Sequence, residues 1–139
     1  MTKRDIISFN YFKTFTTFEA KLKSLGYHNK GNSKTVTVDW DRVAKDFKVQ
    51  LTALIESNSA EVMYLLGYPP KKMVVSNSVT KFIDLSEEAN QERKLLTTLY
   101  TVRNNLYHGG KYANGELVGS ERDVRLVEYA TLIVKKLKV

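Results

Sequence analysis

Apolar residues in this chain recur with the period of an α-helix, and that regularity removes most architectures at the outset. Ile7, Tyr11, Phe15, Phe18, Leu22 and Leu25 follow i, i+4, i+8, i+11, i+15 and i+18 and fall within about 80° of one another on a helical wheel. Gly26 follows at the position where a helix is closed by a left-handed residue. Phe9 and Phe12 lie off that stripe and are candidates for a second apolar contact, such as a subunit interface. A second stripe, Trp40, Val43, Ala44, Phe47, Leu51, Leu54 and Ile55, predicts one helix from near Asp39 or Asp41 to Asn58. Aspartates at its start suit the positive end of the helix dipole. A short helix over 59–66 is closed by Gly67 and by Pro69-Pro70.

Between the first two helices, 28–38 reads as a polar, basic loop whose KTVTV end allows a short strand. The stretch 71–85 reads as an irregular or weakly extended connection. Ser86-Glu87-Glu88 marks a fresh helix start. Leu95, Leu99, Val102 and Leu106 form the core edge of that helix, and Gly109-Gly110 ends it. Ser120-Glu121-Arg122-Asp123 announces the last helix as a capping-box-like start. Beyond it, Val124, Leu126, Val127, Ala130, Ile133, Val134 and Leu137 make a broad apolar arc that should be largely buried. No repeat or linker divides residues 1–139, so the expectation is one all-α domain, a bundle of four to five helices.

Composition narrows the function. The 139 residues carry 22 Lys/Arg against 15 Asp/Glu, a net charge of +7 that favours a polyanionic partner. Residues 1–38 hold seven of those cations and only two acids, whereas 39–70 hold three against five. Lys13, Lys21, Lys23, Lys30 and Lys34 are therefore expected to contribute to RNA affinity. With no cysteine there are no disulfides, thiol nucleophiles or thiolate metal sites, and two histidines, His28 and His108, cannot build a multi-histidine site. His28 reads as an exposed loop residue, and Asp39 and Asp41 as helix-start residues and not metal ligands. No apolar h-region and no run of ~20 apolar residues is legible. The expectation is a cytoplasmic protein with no membrane span, no cofactor and no metal.

The segment richest in chemistry is Val102–Tyr112, VRNNLYHGGKY. Asn104 and His108, at i and i+4, share one face, so the amide is placed to orient the imidazole. Arg103 lies about 140° from His108 on an ideal wheel, a gap that a long side chain can shorten. Each part also has an ordinary explanation. His108 suits the negative end of a helix dipole, Arg103 can pair with a carboxylate, Gly109-Gly110 is a helix stop, and Lys111 is a solvated cation. As Arg103 and His108 lie at or beyond the core edge, Ala at either position is expected to leave the fold intact.

Taken together, Arg103-Asn104-Asn105-Leu106-Tyr107-His108 resembles the R-x4–6-H motif, with its polar residue after Arg, of the HEPN superfamily. His108-Gly109-Gly110-Lys111-Tyr112 and Glu121-Arg122-Asp123 are similar to a bacterial-type group within it. Gly110 stands where toxins of the family paired with nucleotidyltransferase-like antitoxins often have Tyr. The resemblance implies a metal-independent endoribonuclease, often a toxin or antiviral defence effector, acting on RNA as a homodimer, with an antitoxin or regulatory protein as a further partner. On that resemblance Arg103, Asn104 and His108 are the candidate catalytic residues; Lys111 and Tyr107 are the candidate substrate-binding ones, Tyr107 lying about 40° from Arg103 on the wheel with core or interface packing as its ordinary explanation. The chemistry agrees: 2′-OH attack needs proton transfer and positive charge at the phosphorane. One histidine per chain is doubled by a two-fold dimer. The alternative is a non-catalytic HEPN-like module that binds nucleotide, RNA or a protein.

Overall fold

Threonine opens the first helix because its hydroxyl can satisfy a backbone donor that the helix itself leaves orphaned. The computed structural model describes residues 2–29, 35–83, 90–107, 112–113, 116–117 and 121–139. Thr2 Oγ1 accepts from the Asp5 N–H at 3.1 Å, and Asp5 Oδ2 accepts from the Thr2 N–H at 2.9 Å, a reciprocal capping box. Hydrogen bonding to the carboxylate from the Thr2 backbone N–H first, and from the Thr2 side chain second, holds the Asp5 carboxyl below its ordinary range. Helix α1 (Lys3–Ser24) runs from there. It ends as the sequence predicts: Gly26 takes φ +92°, the Gly26 N–H donates to Lys23 O and the Tyr27 N–H to Leu22 O at 3.0 Å. This is a Schellman closure, and its left-handed residue favours glycine. Tyr11, Phe15, Phe18 and Leu22 are buried, while Leu25, beyond the last full turn, is exposed.

The helix expected over 39–58 is two helices. Asp39 caps α2 (Trp40–Asp46), its carboxylate accepting from the Arg42 N–H, and α3 (Lys48–Glu56) follows. Phe47, at φ −98° and ψ 11°, is the joint. Its backbone leaves the helical range while its ring stays buried against Tyr27, 5.7 Å between centroids. The bend lets Trp40 stack on Tyr100 at 4.9 Å while Leu51 is fully buried one helix later. Helix α4 (Ala60–Gly67) starts at Ser59, whose hydroxyl accepts from the Val62 N–H.

The connection expected after the prolines is a β-hairpin: β1 (Lys72–Ser76) pairs antiparallel with β2 (Val79–Ile83), Val74 facing Lys81. Its two-residue turn, Asn77 at φ 51° and Ser78 at φ 62°, has the positive φ values of the tight turn that matches strand twist. Among the described residues, the strand allowed at KTVTV amounts to one bridge, His28 to Val38.

Helix α5 (Gln91–Tyr107) begins later than Ser86, because Asn90 Oδ1 accepts from the Arg93 N–H and so occupies the cap. Ser86–Glu88 lie outside the described residues, as do Gly109, Gly110 and Ser120. A short pair, β3 (Tyr112–Ala113) and β4 (Glu116–Leu117), precedes α6 (Glu121–Lys136). Among the described residues this makes six helices, more than the expected four to five, in an all-α bundle with two small hairpins. All seven residues of the expected apolar arc of α6 are buried. At ~1.5–3 kcal/mol for each large apolar side chain buried, that face is what fixes α6 on α1 and α4. No helix among the described residues is long and apolar enough to cross a membrane.

Candidate active site

The site is built on the last two turns of α5, where the helix's apolar face gives way to polar residues. Leu95, Leu96, Leu99 and Val102 anchor this stretch in the core, and Tyr11 Oη of α1 donates to Leu99 O at 3.1 Å. That contact brings α1 alongside the segment that carries Arg103.

Arg103 does not project into solvent. Its Nε–H donates to Glu19 Oε1 and its Nη2 to Glu19 Oε2, both at 3.0 Å, and its Nη1 donates to Asn104 Oδ1 at 2.7 Å. The two-pronged contact matches the planar fork of guanidinium to a carboxylate. The Glu19 side chain is only 10% exposed and that of Arg103 30%, so the pair sits at the edge of the core with the acid as its inner member. A carboxylate that far from water needs a compensating charge, and Arg103 supplies it across 84 residues of sequence. Arg103 lies at the core edge, as the wheel expects, and from there its ion pair ties α5 to α1. Its alternative reading, pairing with a carboxylate, is the one observed.

Asn104 takes part in the same cluster. Its carbonyl oxygen takes the Arg103 hydrogen bond, so the amide end, Nδ2, is the part left to orient a neighbour. The structure thus brings two of the candidate residues, Arg103 and Asn104, together. Tyr107 is the last residue of α5, and His108 and Lys111 lie outside the described residues. Next along the helix, Asn105 Nδ2 donates to Lys71 O at 3.0 Å, which fastens the chain entering β1 to the same helix end.

Glu19 is the partner of Arg103 that sequence reasoning missed. The available signal was modest: a carboxylate one turn after Phe15 and about 40° from it on the wheel, beside the apolar stripe and not opposite it. Among the described residues no group of three or more His, Asp or Glu side chains could hold a metal ion. Comparison with family models, curated protein sequences and solved structures finds no match to this chain.

Proposed function

We propose that this protein is a metal-independent endoribonuclease of the HEPN type, cleaving RNA at a composite site between two copies of the chain. The reading is carried by the sequence spacing Arg103-Asn104-x-x-x-His108, whose first two residues lie on α5 in contact with each other. His108 transfers the proton of the attacking 2′-OH or of the leaving 5′-oxygen, since an imidazole's ordinary pKa of about 6.5 suits either step near neutrality. Two copies supply both an acid and a base. Arg103, permanently charged, stabilises the phosphorane. Asn104 Nδ2 fixes the imidazole or contacts phosphate, and Glu19 holds Arg103 in place. Tyr107 and Lys111 line the substrate path. A toxin or antiviral effector in the cytoplasm, restrained by an antitoxin or regulatory protein, is the setting the resemblance implies.

One observation favours a second reading. Glu19 offsets the charge of Arg103, and an arginine held this way also suits a non-catalytic module that binds RNA, nucleotide or protein and uses Arg103 to lock two helices. Cleavage of an end-labelled RNA in EDTA by wild type and by His108→Ala, purified identically, separates the two. The ribonuclease reading expects products ending in a 2′,3′-cyclic phosphate from wild type and none from the variant. Equal activity in both preparations means a contaminating nuclease or another site, and the enzyme reading is then dropped. RNA bound by both and cut by neither selects the second reading.

A further inference from the structure

Along the flank of α1 that faces away from Glu19, α1 and the end of α6 enclose an open groove of about 430 Å³. Its floor is apolar, from Phe18, Val134 and Leu137, and its rim carries three exposed lysines, Lys13, Lys21 and Lys135. No Asp or Glu side chain lines it. Among the described residues none of the three lysines is in a salt bridge. Unpaired like charges held along one groove repel one another and favour an anion between them. Lys13 and Lys21 are eight residues apart, about 12 Å along the helix axis, too far for one phosphate to serve both ends. Phe18 is only 5% exposed, so its ring offers no stacking platform. The occupant is therefore recognised by several spaced charges and not by a base or an aromatic group.

From this we infer that the α1–α6 groove binds the backbone of a single-stranded nucleic acid, tracking successive phosphates without reading sequence. Composition alone nominated five lysines; the structure joins two of them, Lys13 and Lys21, to Lys135. Lys23 is not among the lining residues, and Lys30 and Lys34 lie outside the described residues. Glu19 is about 120–160° round the α1 wheel from Lys13 and Lys21, so the groove is separate from the Arg103 cluster. Binding here stands independently of whether that cluster cuts RNA.

The test measures fluorescence anisotropy of a labelled single-stranded 2′-deoxy oligonucleotide across a salt series. Such a strand cannot undergo 2′-OH attack, so binding is read apart from cleavage. The triple variant Lys13→Gln/Lys21→Gln/Lys135→Gln is compared with Lys45→Gln/Lys48→Gln/Lys71→Gln, which removes the same charge from exposed positions elsewhere. Helical circular dichroism checks the fold of both. At ~0.7 per phosphate contact, the slope of log affinity against log salt should become shallower by about 2 in the groove variant and hold nearly constant in the control. Equal loss in both variants reduces the effect to net charge and overturns the groove. Unchanged affinity in the groove variant overturns it as well. So does wild type that ignores the strand yet partitions, through these lysines, onto phosphatidylserine-containing vesicles.

Discussion

Arg103 shows how one ion pair changes what a substitution can report. On the wheel it lies at the border of the core stripe, and a border arginine is ordinarily dispensable to the fold. In the structure its guanidinium is the counter-charge of a carboxylate only 10% exposed. Removing it leaves Glu19 desolvated and unpaired, so Arg103→Ala should destabilise the protein by about 1–3 kcal/mol, part of the pair being open to water. Chemical denaturation of Arg103→Ala, Glu19→Gln and the double variant measures this. The double variant should be less destabilised than the sum of the singles, because neither orphan charge remains; strict additivity would mean that the pair contributes nothing. It follows that loss of RNA cleavage in Arg103→Ala alone would confound chemistry with folding, whereas Arg103→Lys keeps the charge and loses the fork. The arginine and the asparagine were legible as a motif. Their partner was not, because a contact between residues 19 and 103 leaves no trace in local spacing.

At the scale of elements, the caps and stripes that depend on neighbours in sequence were legible, and the features set by tertiary packing were not. The Schellman end at Gly26 and the apolar arc of α6 were readable because three or four residues specify each. The break at Phe47 was hidden, because the helical period runs through it unbroken and the ring contacts on either side of it, Phe47 with Tyr27 and Trp40 with Tyr100, are tertiary. The hairpin was hidden because Asn77-Ser78 lacks the glycine that usually marks such a turn. Helix α5 holds the largest surprise: on a flank beside its leucines it buries Lys94, Thr98, Thr101 and Asn105, spaced 4-3-4. Among the described residues, the hydroxyls of Thr98 and Thr101 and the Asn105 carbonyl have no hydrogen-bond partner. A buried hydroxyl without a partner costs ~1–3 kcal/mol, and replacing it by a methyl of the same shape is neutral or favourable. Thr98→Val should therefore hold or raise the denaturation midpoint, while its neighbour Leu99→Ala, emptying a site with no exposure, should cost roughly 2–5 kcal/mol. A Thr98→Val variant as unstable as Leu99→Ala would mean that the hydroxyl has a partner in solution.

For the whole molecule, the decisive question is whether one chain is enough. A single candidate imidazole per chain cannot readily act as acid and base at once; of the two aromatic residues off the α1 stripe, Phe9 is 61% exposed and Phe12 half-buried, with Ile6 beside Phe9 47% exposed. The composite site proposed above calls for a two-fold assembly that brings two Arg103–His108 segments together. Light scattering at tens of micromolar, the weak end of specific association, should return twice the chain mass; a monomer there weighs heavily against a composite site. Mixing gives a sharper test than mass. When wild type and His108→Ala are combined in equal amounts and allowed to exchange, about a quarter of the dimers carry two imidazoles and about half carry one. If cleavage needs both imidazoles at one site, the activity of the mixture falls to about a quarter of that of the same total of wild-type chains. If each chain cuts with its own imidazole, the activity falls only to half. A mixture at half, with exchange verified by a tagged chain, would place the whole chemistry within one protomer and remove the reason for the composite site.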